Sequence, residues 1–228
     1  MNWLLGWMRS TLGGKVVMAI TGLLLVGFLL AHMAGNLLVF GGPAAVNAYA
    51  AYLKGSPVLL WGARLGLLTV FVLHVGLGLR LARQNRAARP DRYVKTATVE
   101  ASLASRSMVL TGAMVAAFVV FHLLHFTVGA IQREHAVLSD RQGRHDVYSM
   151  VVLGFQNPLV SLAYVIAMLL LALHLSHGLH SFAQSLGFRH RRYTALLELL
   201  APIVAALLAI GFLAVPMSVL LGFVSPPQ

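Results

Sequence analysis

The chain has 228 residues, 59% hydrophobic and only 10% charged, with a mean hydropathy of +0.82 and a formal charge of +11. A water-soluble domain of this size could not hide so much apolar surface; long apolar runs are the signature of an integral membrane protein. The lack of cysteine excludes disulfides, iron–sulfur clusters and thiolate metal sites, and the positive charges gather between apolar runs, where they set topology rather than bind nucleic acid.

In chain order, Met1 to Lys15 is too short to span, shows no cleavable signal, and carries Trp3 and Trp7 on one helical face. It reads as an interfacial helix, residues 1–15, anchored by indoles. Five apolar segments follow, at about 16–40, 58–82, 106–130, 157–184 and 197–222. Each is long enough to cross a bilayer, and backbone groups in lipid must pair internally, so each is predicted helical. The expected fold is therefore all-α: a single membrane domain, 1–228, of five transmembrane helices.

Lys and Arg set the orientation. Arg9, Lys15, Arg80, Arg83, Arg86, Arg89, Arg92, Lys95, Arg106, Arg189, Arg191 and Arg192 flank one side; Lys54, Arg133, Arg141 and Arg144 flank the other. That bias predicts a cytoplasmic N-terminus. The connections 83–105 and 131–156 are too short for a soluble domain. Gln84 to Tyr93 is arginine-rich, which fits topology and anionic lipid, or docking of a soluble subunit. No short internal repeat is evident, though the first four spans each carry one late histidine.

Of ten histidines, His135 and His145 lie in a polar loop and His190 among arginines; these read as solvated. His32, His74, His122, His125, His174, His177 and His180 lie in spans. At about 1.5 Å per residue, His32 and His122 both sit roughly 24 Å from the cytoplasmic face. His74 and His174 sit roughly 12–15 Å from it. Two histidines share an outer level and two an inner level, the arrangement required by two bis-histidine haems in the first four helices. Gly78 and Gly178, each four residues after a histidine, and Ala34 with Gly35 provide small residues beside a macrocycle. Interhelical hydrogen bonding is the plainer role for any one such histidine. Zinc fits less well, because the four are split between levels and no carboxylate lies at either. A proton relay would usually include Asp or Glu at mid-depth. Spacing leaves His122 against His125 open, and the roles of His177 and His180 as well.

Several stretches resemble the membrane cytochrome b subunit of succinate:quinone oxidoreductases in its single-polypeptide, five-helix, two-haem form. They are KVVMAITGLLLVGFLLAHMAGNLLVF with NAYAAYL, HVGLGLRLARQNRAARPDRY, ASRSMVLTG followed by FHLLHFT, and HLSHGLHSFAQSLGF, together most of residues 14–190. The resemblance implies His32, His74, His122 and His174 as the iron ligands of two haems b, the first paired with the third and the second with the fourth. It favours His122 through His-Leu-x-x-Phe. It implies a quinone substrate, expected to be menaquinone, and flavoprotein and iron–sulfur partner subunits on the cytoplasmic face of a bacterial inner membrane. This subunit would transfer electrons and reduce quinone within a succinate dehydrogenase complex. Ala172 stands where some members carry a proton-transferring glutamate, a departure that tells against that route here.

Arg64, within the second span, either snorkels to the interface or pairs with an outer-haem propionate or the quinone. Asn36 is a further quinone-contact candidate, and Tyr52 and Lys54 weaker ones. The competing functions are a cytochrome b serving a hydrogenase or formate dehydrogenase, and a haem-free anchor or transporter.

Overall fold

The structure is a computed structural model describing residues 3, 6–7, 10–88, 103–188, 190 and 192–227. Among these residues there are no strands, only an isolated bridge between Ser139 and His145. Five helices are long and apolar enough to cross a membrane. They are α1 (Thr11–Leu37), α3 (Pro57–Ala87), α4 (Leu103–His122), α7 (Pro158–Ser185) and α8 (Thr194–Leu220). Between them lie α2 (Pro43–Lys54), the single turn α5 (Arg133–Ala136) and α6 (Val147–Gln156).

Local chemistry sets the helix starts. Ser10 caps α1, its hydroxyl accepting from the Gly13 amide at 3.0 Å. Asn157 caps α7 by accepting from Leu159 at 3.0 Å, and Asp146 caps α6 by accepting from Ser149 at 3.0 Å. α2, α3 and α7 each place proline in the first turn, where its missing N–H costs nothing. The Ser10 cap divides the stretch expected as one interfacial helix. Trp3, Gly6 and Trp7 are helical, but Thr11 to Lys15 already belong to α1; Arg9 and the rest of that stretch lie outside the described residues. The regions read as outer loops also carry helices: Tyr52 and Lys54 lie in α2, and the 131–156 segment contains α5 and α6.

α1 packs on α3 and α7, and α7 on α4; α3 and α4 touch only lightly. The cyclic order is therefore α1–α3–α4–α7, with α1 opposite α4 and α3 opposite α7. α8 lies outside this ring against α7, α1 and α6. Arg80 donates to the Ser10 carbonyl at 3.2 Å, joining the end of α3 to the start of α1. We call this the basic end: Lys15, Arg83, Arg86 and Arg106 lie toward it, while Arg89, Arg92, Lys95, Arg189 and Arg191 lie outside the described residues.

The opposite end is capped by α2 and α6. Asn47, 1% exposed, donates to the Asp146 carboxylate at 2.9 Å and accepts from the Tyr148 amide at 3.0 Å. Asp140 is held below the usual carboxylate range chiefly by the Arg144 side chain, at 2.7 Å. Burial pushes Asp146 up, but hydrogen bonds from Ser149 and Asn47 outweigh it and leave it below the ordinary value. The Tyr148 hydroxyl donates to the Ser225 carbonyl at 3.0 Å, fastening the tail to the cap.

The two helices that enter the cap change pitch differently. α1 tightens into a 3-10 turn at Leu38–Gly41, and α4 widens into a π turn at Leu123–Thr127, closed by the Val128 amide on the Leu123 carbonyl at 2.8 Å.

Candidate functional site: paired histidines across the bundle

His32 on α1 meets His122 on α4 with ring centres 5.8 Å apart and planes at 80°. His74 on α3 and His174 on α7 occupy the other diagonal, each with its Nδ1 against a threonine of the adjacent helix. Each pair reaches across a diagonal of the α1–α3–α4–α7 ring. The His74–His174 pair lies toward the basic end and forms the lower level. The His32–His122 pair forms the upper level, eleven residues or about 16 Å farther along α1.

At the lower level both histidines are held alike. The Thr21 hydroxyl lies 3.2 Å from His74 Nδ1, and the Thr111 hydroxyl 3.4 Å from His174 Nδ1. The next residue in each case is glycine. A methyl group on Gly22 would come within 3.2 Å of the His74 ring, and one on Gly112 within 3.0 Å of the His174 ring. The Thr-Gly pair thus offers one polar contact and a groove for the ring edge. Gly78 and Gly178 face the terminal methyls of Met18 and Met108.

The upper level is built differently. His32 stacks on Phe28, centres 5.2 Å apart and planes at 13°, and approaches Phe212 of α8 at 5.9 Å. His122 Nδ1 lies 3.2 Å from the Tyr164 hydroxyl, which also lies 3.1 Å from His125 Nδ1. His125 Nε2 lies 2.7 Å from Gln132 Oε1. With the amide placed this way, the protons order as His125 Nε2–H to Gln132, Tyr164 O–H to His125 Nδ1, and His122 Nδ1–H to the Tyr164 oxygen. His125 is 2% exposed and stacks on Phe126 at 3.8 Å. Both its nitrogens are thus engaged, one by Tyr164 and one by Gln132.

The residues fit a bis-histidine haem on two grounds. First, the upper level brings two imidazoles from opposite helices to 5.8 Å between ring centres inside an apolar bundle. Second, His74, His174 and His122 each engage Nδ1 and leave Nε2 without a hydrogen bond among the described residues. A metal-ligating histidine is ordinarily oriented in this way by a partner on its other nitrogen. The described residues contain no cluster of three or more His, Asp or Glu placed to hold a metal ion.

Other expected site residues lie apart. Arg64 is exposed on α3, its guanidinium 5.2 Å from the Trp61 ring, and it joins neither pair. Asn36 is half-buried one turn beyond His32, with no side-chain hydrogen bond among the described residues. His180 lines a small crevice with Gln184, Thr194 and Glu198 near the basic end.

Reading the sequence by span missed Thr21, Gly22, Thr111, Gly112 and Tyr164. The missed signal is a repeat, Met-x-x-Thr-Gly-x9-His, at Met18–His32 and again at Met108–His122. With His-x3-Gly at His74–Gly78 and His174–Gly178, it makes α1–α3 and α4–α7 two copies of one helix pair. The cyclic order relates the copies by a pseudo-two-fold axis along the bundle, so both histidine pairs consist of equivalent residues. Comparison with family models, with curated proteins and with solved structures finds no match to the chain.

Proposed function

We propose that the chain is a di-haem cytochrome b, the membrane-anchor subunit of a succinate:quinone oxidoreductase in a bacterial cytoplasmic membrane. The observation that carries the haem reading is the placing of equivalent histidines on both diagonals of one apolar bundle, at two levels. The assignment to succinate:quinone oxidoreductases rests on the sequence resemblance. In this reading the basic end faces the cytoplasm and receives the flavoprotein and iron–sulfur subunits.

Haem, when bound, supplies one-electron carriers between those subunits and a membrane quinone, with menaquinone the expected species. His74 and His174 would hold the lower haem, and His32 and His122 the upper. Tyr164 and His125 orient His122, and Phe28 and Phe212 keep the His32 face apolar. Asn36 lies on the upper side of His32, where a quinone near the upper haem would pass. Arg64 stands farther out on α3, and Arg64→Leu that leaves the upper potential and quinone kinetics unchanged removes it from the site.

The test is a reduced-minus-oxidised spectrum of the purified complex with haem counted per polypeptide. Two haems b per chain are expected, and a colourless preparation ends the proposal. Co-purification of a flavoprotein with succinate dehydrogenase activity separates this reading from a cytochrome b of a hydrogenase or formate dehydrogenase.

A further inference from the structure

We propose that Thr21 and Thr111 are positioning residues that fix His74 and His174 in the Nδ1–H tautomer and thereby tune the iron couple at the lower level alone. The inference rests on the haem reading above and deepens it.

The Thr21 hydroxyl lies 2.9 Å from the Val17 carbonyl and 3.0 Å from the Met18 carbonyl, besides its contact with His74. Thr111 repeats the arrangement, 3.1 Å from Ser107 and 3.2 Å from Met108. A hydroxyl carries one proton, and a carbonyl only accepts. The threonine proton therefore goes to its own helix, leaving an oxygen lone pair toward the imidazole. A ring nitrogen facing that lone pair carries the proton, which makes Nδ1 the N–H in both rings and leaves the lone pair of each neutral imidazole on Nε2.

Back-bonding to the i−4 carbonyl is ordinary for a helical threonine. What that habit does not explain is the recurrence of a second contact, to histidine on the neighbouring antiparallel helix, in both copies of the repeat. The glycine after each threonine makes the approach possible, because a methyl there would crowd the ring edge. A hydrogen bond accepted from Nδ1–H raises the electron donation of Nε2 and favours the oxidised metal. Removing the hydroxyl should raise the lower potential. The upper level has no equivalent threonine and should not respond.

The experiment uses the purified complex carrying Thr21→Val, Thr111→Val and both together, with spectroelectrochemical titration of each haem. The expected result is an upward shift of the lower couple in each single variant, a larger shift in the double, and an unmoved upper couple. Thr21→Ser and Thr111→Ser, which keep the hydroxyl, should restore the parent value. Selective loss of the lower haem in a valine variant, restored by serine, supports the same role. An unmoved lower potential, equal movement of both couples, or equal loss of both haems overturns it. A parent complex without haem overturns the underlying reading instead, so the two failures are distinguishable.

Discussion

The two histidine levels are built on the same residue pattern, repeated in α1–α3 and α4–α7, but stand in different surroundings. At the lower level both copies keep the same device, a threonine and a glycine presented to the ring from the adjacent helix. At the upper level the copies have diverged. His122 leans on Tyr164 and His125, while the ring of His32 lies against Phe28, His122 and Phe212. The difference follows surroundings. α6 approaches His125 closely enough that a methyl on Gly154 would sit 3.2 Å from its Nε2, and α8 brings Phe212 to His32 alone. A cap and a fifth helix laid against one half give the two copies unequal neighbours, whereas the lower level is enclosed by the repeat itself.

The sharpest way to break this comparison is to remove one level. On the proposed two-haem reading, His74→Ala or His174→Ala should lower the haem count from two to one and leave the upper spectrum intact; His32→Ala or His122→Ala should do the converse. Equal loss of both haems from every replacement would mean that the levels are not separate sites. Next in size is Asn47→Ala, which withdraws one of the donors to Asp146 and the side-chain acceptor of the Tyr148 amide within a buried network. Leaving the Tyr148 amide unpaired costs about 1–3 kcal/mol. Faster hydrogen exchange in α2 and α6, with α3 unchanged, is the expected readout.

Tyr164→Phe should come third. It strands the hydrogen bonds of His122 and His125, costs about 1–3 kcal/mol, and should shift the upper spectrum while leaving the lower one unmoved. The smallest expected effect is that of acid. Asp140 and Asp146 have folded-state values below their ordinary 3.8. Their ionised forms therefore stabilise the cap fully above that value, and the contribution is lost as pH falls from there through the depressed folded values. Exchange in α6 should rise over that acid range before exchange in α4 does; a cap insensitive to acid would detach these carboxylates from its stability.

Much of this arrangement is legible in the sequence. The five spans follow from hydropathy, and the depths of His32, His74, His122 and His174 follow from counting residues along them. Thr21 and Thr111 were hidden because threonine and glycine are unremarkable inside apolar helices; only the ninety-residue offset between the copies distinguishes them. α2 and α6 were hidden because they lie between spans, where hydropathy marks no crossing. Tyr164 sits in a span whose histidines lie well beyond it, so only packing against α4 reveals its partners. The choice between His122 and His125, open on spacing, turns on which ring already has both nitrogens engaged.

The wide turn after His122 has a consequence for how the chain tolerates change. In a regular helix, three residues carry a side chain most of the way round, so His125 would point close to the direction of His122. A π turn advances fewer degrees per residue, and this swings His125 away from the bundle axis toward α6 and Gln132. Such a turn holds one residue more than the regular pitch, and deleting one residue between Leu123 and Thr127 could be absorbed by a return to regular pitch. The same deletion between Thr111 and His122 would rotate one anchor relative to the other and uncouple the two elevations. Deletion scanning along this helix should therefore meet a permissive window directly beside a forbidden one.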